Sequence, residues 1–151
     1  MSTAPLYLIR GSATISTAVS IMQFQTGSAR LLRLYYLEVT QDGVNASQQV
    51  RLQLLLKSAA ATFAATQTPL KTYPGLAAAS GTYHGTAAAT AEGTDGNVYK
   101  QIGQNLLNGF IYEPVPERRI IWPVSSIVAV KFSAAPPSAT WSWEAQFEEL
   151  G

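Results

Sequence analysis

The residues that could carry out chemistry in this sequence are few and widely spaced. His84, in the segment TYHGT, is the only histidine, and the chain has no cysteine. A single histidine without cysteine cannot form a typical zinc site, and a Ser-His-Asp triad would need carboxylates whose placement the sequence does not indicate. We interpret His84 as a loop side chain near solvent or at an interface. No metal or other cofactor is expected.

Three glutamates near the end of the chain, Glu144, Glu148 and Glu149, raise the question of a glycosidase. Glu144 and Glu148 share one face of a predicted strand, where they would lie roughly 13 Å apart. Both classes of glycosidase use shorter separations between their carboxylates. The pattern favours a solvated outer face, and we predict that the protein is not an enzyme.

The tryptophans and one arginine pair allow binding as well as structural roles. Trp122, Trp141 and Trp143 could form a sugar-stacking platform, although tryptophans in alternating strands more often belong to a core. The pair Arg118–Arg119 could clamp an acidic partner through bidentate contacts, or could serve solubility alone. Both alternatives stay open at this point.

Composition excludes several classes of function. The formal net charge is +1, and the ten basic residues form no stripe of the kind that binds a phosphate backbone, so no nucleic-acid partner is expected. No window approaches the roughly 18 apolar residues of a membrane span, and the first residues do not resemble a signal peptide. We expect a protein made in the cytoplasm. Charged residues make up only 13% of the chain, which suggests that a partner covers part of its surface.

The elements that position these residues are predicted to be strands. From Thr140 to Leu150 the chain alternates Trp141, Trp143, Ala145 and Phe147 with polar residues, as in a half-buried antiparallel strand. Further strands are predicted at Thr14–Phe24, Ala29–Thr40, Gln48–Lys57, Val98–Gln104, Phe110–Val115, Arg118–Trp122 and Ile127–Phe132. The Asn108–Gly109 step predicts a hairpin between two of them.

This spacing predicts one domain over residues 1–151. It is all-β, a single antiparallel β-sandwich of jelly-roll-like or other Greek-key type, with about eight strands. An Ala/Thr/Gly-rich segment at about 75–96 interrupts the pattern and is predicted to be an extended loop or arm. Its small side chains allow close backbone approach, and we interpret it as a loop ordered by a neighbouring molecule.

The last third of the chain resembles a known class of proteins. It contains an Asn-Gly-Phe step at Asn108–Phe110, a Pro-x-Pro-Glu turn at Pro114–Glu117, an apolar strand at Ile127–Phe132, an Ala-Ala-Pro break at Ala134–Pro136 and a Glu-Glu-Leu-Gly ending at Glu148–Gly151. In this order the motifs resemble the capsid decoration (cement) proteins of tailed bacteriophages. The upstream part fits more loosely.

The resemblance implies a virion protein on the capsid surface that binds the major capsid protein and associates with itself, a homotrimer being favoured. It would bridge neighbouring capsid subunits and stabilise the shell. The interface residues expected on this basis are Leu6, Tyr7, Tyr73, Tyr83, His84, Arg118 and Arg119. The alternatives are a carbohydrate- or receptor-binding β module, and another structural component of a phage tail or neck.

Overall fold

The strands of the chain form two antiparallel sheets that pack face to face. The computed structural model describes residues 6–43 and 48–151, apart from the side chain of Leu106. The strands are β1 Leu6–Ile15, β2 Ser20–Gln25, β3 Leu31–Asp42, β4 Gln49–Ala59, β5 Leu70–Lys71, β6 Thr82–His84, β7 Thr94–Asn105, β8 Phe110–Tyr112, β9 Ile121–Trp122, β10 Ile127–Phe132 and β11 Ala139–Leu150. Two 3-10 turns, Leu106–Asn108 and Pro116–Arg118, are the described helical elements, and neither could span a membrane.

The order of the strands is that of a jelly roll. The first sheet has the order β5-β1-β11-β3-β8, with β9 also paired to β3, and the second has the order β6-β2-β10-β4-β7. The long pairs are nested: β1 pairs with β11, β2 with β10, β3 with β8 and β4 with β7. Nested antiparallel pairs of this kind arise when one long hairpin is rolled into two sheets. The predicted β-sandwich is therefore confirmed.

Alternating side chains from both sheets fill the core, as the pattern of the last strand predicted. Trp141, Trp143, Ala145 and Phe147 of β11 are all buried. On the neighbouring strand β3, the inward-facing positions change from even-numbered to odd-numbered residues at a β-bulge. The register shifts there, between the partners of Gln146 and Phe147. Because of the bulge, Leu32 and Leu34 in one half of β3 and Leu37 and Val39 in the other half all face inward.

The boundaries of the early strands differ from the prediction. The single strand expected at Thr14–Phe24 is two strands, because β1 continues through Gly11 to Ile15 and β2 begins only at Ser20. Gly11 permits this path, since a Cβ at that position would lie only 1.9 Å from the carbonyl oxygen of Gly85. A chain that passes so close to β1 tolerates only glycine there.

The predicted hairpin at Asn108–Gly109 is wrong. Strand β7 pairs with β4 in one sheet, whereas β8 pairs with β3 in the other. Gly109 does adopt a left-handed φ of 63°, but it ends a 3-10 turn that carries the chain across the sandwich. The strand predicted at Arg118–Trp122 is likewise reduced to Ile121–Trp122, because Pro116 starts a 3-10 turn.

The Ala/Thr/Gly-rich segment is not an extended arm. Residues 60–93, called the belt below, leave β4 in the second sheet, reach the first sheet at β5 and return to the second at β6. Residues 94–96 of the predicted arm belong to β7. The belt is ordered by hydrogen bonds to its own sandwich, so the expectation that a neighbour orders it is not needed.

Candidate interaction surface

Polar side chains of β2 and β6 hold the first part of the belt, residues 61–65, over the outer face of the second sheet. The amide of Gln23, fully buried on β2, accepts a hydrogen bond from the Ala61 amide nitrogen at 2.8 Å and donates one to the Ala61 carbonyl at 3.3 Å. His84 stacks on Phe63 with 4.8 Å between ring centroids, and its Nδ1 lies 3.0 Å from the Ala65 carbonyl. These side chains satisfy belt backbone groups that would otherwise be unpaired.

Glu149 holds the part of the belt that leads from β5 into β6. It follows Trp141, Trp143, Ala145 and Phe147 on the inner face of β11, so its carboxylate points between the sheets and only 4% of the residue is exposed. It accepts hydrogen bonds from the Ser80 and Gly81 amides, the Ser80 hydroxyl, the Tyr83 hydroxyl and Arg30.

The ionisation of this site follows from the same contacts. Burial opposes the charge of Glu149, but the hydrogen bonds from Tyr83, Ser80 and Gly81 outweigh it and lower its pKa below the usual 4.5. For the Tyr83 hydroxyl, burial and the bond to this carboxylate both act in the same direction and raise its pKa.

A cluster of charges fastens the return of the belt into β7. The side chain of Lys57 is fully buried, and its Nζ lies 2.8 Å from Glu92 Oε2 and 2.8 Å from Asp95 Oδ1. Lys131 joins the same carboxylates, at 2.6 Å from Asp95 and 3.4 Å from Glu92. Burial opposes ionisation of Glu92 and Asp95, but the bonds from the lysines, and from Ser20 to Glu92, prevail and lower both pKa values.

The belt closes one side of the sandwich, and no other segment in the described part of the chain covers the opposite side. The belt strands β5 and β6 form the outermost strands at one end of each sheet order, and β8, β9 and β7 form those at the other. We call this second side, made of β7, β8, β9 and the turns between them, the open side. Six of the ten large hydrophobic side chains that are exposed among the described residues lie here: Val98, Tyr99, Leu107, Ile111, Val115 and Ile121. An apolar edge of this kind is typical of a surface that contacts another chain.

Three of the predicted interface residues are buried. Tyr7 and Tyr83 are core side chains, exposed by 0% and 1%, and His84 is covered by Phe63. The reason is that the belt packs against the sandwich: it carries Tyr83 and His84 inward itself, and its Ala77 carbonyl accepts a hydrogen bond from the Tyr7 hydroxyl at 3.0 Å. A partner cannot touch the two tyrosines on the folded chain. The expectation that Tyr7 and Tyr83 lie at an interface is therefore corrected: both are core residues.

The other predicted interface residues lie at the surface but not together. Leu6 and Tyr73 are near β5, where the Leu6 carbonyl accepts a hydrogen bond from the Thr72 amide, and Tyr73 is 43% exposed. Arg118 is exposed on the open side. The guanidinium of Arg119 is 4.0 Å from the ring centre of Tyr35 and so is engaged within the chain. Contact of Leu6, Tyr73 or Arg118 with a partner stays a prediction.

A polar groove crosses the outer face of the first sheet. Arg10, Glu144 and Glu38 stand opposite one another on β1, β11 and β3, and Ser12, Ser142 and Thr40 form the next row. The groove has a volume of about 540 Å³. The Tyr36 hydroxyl donates to Glu38 at 2.6 Å, and this bond, with burial, raises the pKa of Tyr36 to about 12.

The expectation of a solvated outer face is right for Glu144 but wrong for Glu148, which is 2% exposed and paired with Arg33.

The tryptophans belong to the core. Trp122, Trp141 and Trp143 are exposed by 1%, 0% and 3%, and the Trp143 indole donates to the Gly85 carbonyl of the belt at 2.6 Å. They form no platform on which a sugar ring could stack.

Comparison with protein-family models, curated proteins and solved structures finds no match.

Sequence reasoning missed the open side. The apolar residues that mark it, such as Val98, Ile111 and Val115, were assigned to strands without regard to which of them would be exposed. A usable signal was present: Val115 stands between two prolines, where no buried strand can continue.

Proposed function

We propose that the protein is a structural component of a bacteriophage virion, a capsid decoration protein that binds the major capsid protein and copies of itself. The open side is the observation that carries the assembly role, because it combines exposed apolar side chains with an uncovered sheet edge. The resemblance of the last third of the sequence supports the capsid as the place of assembly. The jelly-roll order agrees with this by analogy of fold, since viral capsid domains use it, although lectin domains use it too.

The proposed mechanism is adhesion at several points at once. Each contact between an open side and the shell needs only modest affinity, because contacts made by a joined set of copies multiply. A subunit that binds the assembled shell better than its separated parts raises shell stability by mass action. The low content of charged residues, 13%, fits a surface largely covered by other chains. The exposed turn region with Ile111, Val115 and Arg118 is the proposed shell contact.

The groove on the first sheet is the observation that favours the second candidate, a carbohydrate-binding module. Its carboxylates, arginine and hydroxyl groups could hydrogen-bond a polyol. The buried tryptophans weigh against this candidate, because no exposed indole is left for sugar stacking. Calorimetric titration of the protein with oligosaccharides, with Glu144→Gln as the groove variant, distinguishes the two candidates.

Adding purified protein to virus particles that lack it is expected to raise the temperature at which the shell releases its DNA. At a free concentration of about 100 times Kd, each occupied site contributes roughly 2.7 kcal/mol to shell stability. Ile111→Lys, at a side chain that is 61% exposed, is expected to reduce the increase because it places a charge in the proposed contact. Thr14→Lys, exposed on β1, is the matched control and is expected to behave as wild type.

The measurement is release of DNA during heating, followed with a dye that cannot enter the intact particle, together with co-sedimentation of the protein with the particles. Equal release temperatures with and without bound wild-type protein would contradict the stabilising role. Failure of the protein to sediment with the particles would contradict the capsid assignment itself.

A further inference from the structure

Among the described strands, none pairs with the second edge of β7. It is the last strand of the second sheet, it spans 12 residues from Thr94 to Asn105, and its one neighbour among the described strands is β4. Every residue from Thr94 to Gln101 is exposed. In an antiparallel strand the backbone N–H and C=O groups point alternately to the two sides, so about half of those in β7 face the free edge.

This edge lacks most of the devices that keep free edges apart. Natural edge strands are usually short, or carry prolines, several lysines or bulges. Strand β7 is long, has no proline and carries a single lysine, Lys100. Its irregular pairing with β4 is confined to the part before Lys100, whereas Lys100–Asn105 pairs in unbroken register with Gln49–Leu54. The second half of β7 is therefore a regular template for one more strand.

The length of the edge indicates what occupies it. The other described outer strands have two or three residues each: β5, β6, β8 and β9. None of these is long enough to satisfy the free backbone groups of β7, whereas another β7 is. Lys100 is also the only charged residue from Val98 to Asn105. When two copies of β7 pair in antiparallel fashion, the two Lys100 side chains face each other only if Lys100 lies on the two-fold axis, so every other centre avoids this repulsion.

We propose that β7 pairs in antiparallel fashion with the β7 of a second copy of this chain, centred within Lys100–Asn105, so that the second sheet continues from one copy into the next. The inference rests on the self-association in the proposed function and specifies its contact. Such a pair is two-fold symmetric and makes a dimer, because a self-complementary patch closes after two copies. The dimer replaces the trimer expected from the resemblance, and it leaves the β8–β9 part of the open side for the shell.

Single cysteines test the pairing directly, because the chain has none of its own. Each residue from Lys100 to Asn105 is replaced by cysteine in turn, and disulfide-linked dimer is followed under mild oxidation. Across an antiparallel pair the residue at the two-fold axis faces its own copy at a Cα separation of about 4.5 to 5.5 Å, which a disulfide spans. Residues on either side of it are offset and farther apart.

The expected result is a maximum at one position, with dimer forming on the order of tenfold faster than in Thr14→Cys, the exposed control on β1. Gly103→Cys is the mildest member of the series, because a Cβ there meets no atom within 4 Å. Circular dichroism checks that each variant is folded. Wild-type protein, measured by sedimentation equilibrium, is expected to have twice the 16.2 kDa mass of the chain.

Two results would overturn the proposal. One is a wild-type protein that stays monomeric at the concentrations of the oxidation experiment. The other is a dimer or trimer in which all six cysteine positions link no faster than Thr14→Cys. Neither result bears on whether the protein is part of a virion, because co-sedimentation with particles tests that separately.

Discussion

Replacing Glu149 with alanine is expected to lower the free energy of unfolding by about 3 to 5 kcal/mol, because several donors lose their acceptor and each unsatisfied buried group costs about 1 to 3 kcal/mol. Its carboxylate is the acceptor for the Ser80 and Gly81 amides and for the Tyr83 hydroxyl, a side chain that is 1% exposed. Without it these donors remain in the interior unpaired. The belt between β5 and β6 is expected to detach first.

Urea unfolding followed by tryptophan fluorescence measures this effect. Glu113→Ala, an exposed glutamate on the open side, is the matched control and is expected to stay within about 0.5 kcal/mol of wild type. A Glu149→Ala protein as stable as this control would show that Glu149 does not hold the belt. Glu149→Gln keeps the shape and one acceptor oxygen, so its loss is expected to lie between those of alanine and wild type.

The lowered pKa of Glu149 gives this contact a pH dependence. Because the folded protein holds the carboxyl below the usual value of 4.5, its stabilising effect is complete above that pH. It declines as the pH falls from 4.5 towards the folded-state pKa, and the lowered pKa values of Glu92 and Asp95 act in the same window. In Glu149→Gln the fall in stability below pH 4.5 is expected to be smaller than in wild type.

Replacing Lys57 with methionine, which fills a similar volume, is expected to lower the free energy of unfolding by about 1.5 to 3 kcal/mol, the usual contribution of hydrogen bonds to charged groups. The substitution removes the buried cation between Glu92 and Asp95 and leaves Lys131 as the remaining lysine beside them. The cost comes from the two carboxylates, which are 26% and 38% exposed and stay close together but lose a charged donor. Neutralising one of them should therefore recover part of the loss, and the double variant Lys57→Met with Glu92→Gln is expected to be more stable than Lys57→Met alone.

Thermal unfolding of the four proteins in this cycle isolates the coupling between Lys57 and Glu92. Arg51→Met, at an exposed arginine on β4, controls for loss of a positive charge in general. If Lys57→Met and Arg51→Met unfold at the same temperature, the charge cluster around Lys57 does not stabilise the return of the belt.

Much of the sandwich could be predicted because its signal is local. Alternation in β11 identifies Trp141, Trp143, Ala145 and Phe147 as inward-facing, and this is confirmed. The same rule, continued by two residues, also places Glu149 inward, but a carboxylate in the interior is acceptable only when its donors are known. The donors from the belt are 66 to 69 residues away in sequence, in a segment whose sequence has no strand pattern.

The belt could not be predicted because the contacts that order it are also remote in sequence. Its small residues have no periodicity, and what orders them is backbone hydrogen bonding to remote side chains such as Gln23 and Trp143. The hairpin at Asn108–Gly109 failed differently. The Asn-Gly step does produce a left-handed glycine, but the jelly roll directs the two flanking strands into different sheets, and a local turn signal does not contain that information.

The copy number of this protein in purified virus particles, relative to the major capsid protein, tests the central claim most directly. Quantitative mass spectrometry with labelled peptides of both proteins gives the ratio. A capsid decoration protein is expected at a near-stoichiometric ratio, since it occupies repeated sites over the whole shell. A few copies per particle would indicate a tail or neck component instead, and complete absence from the particle would contradict the virion assignment.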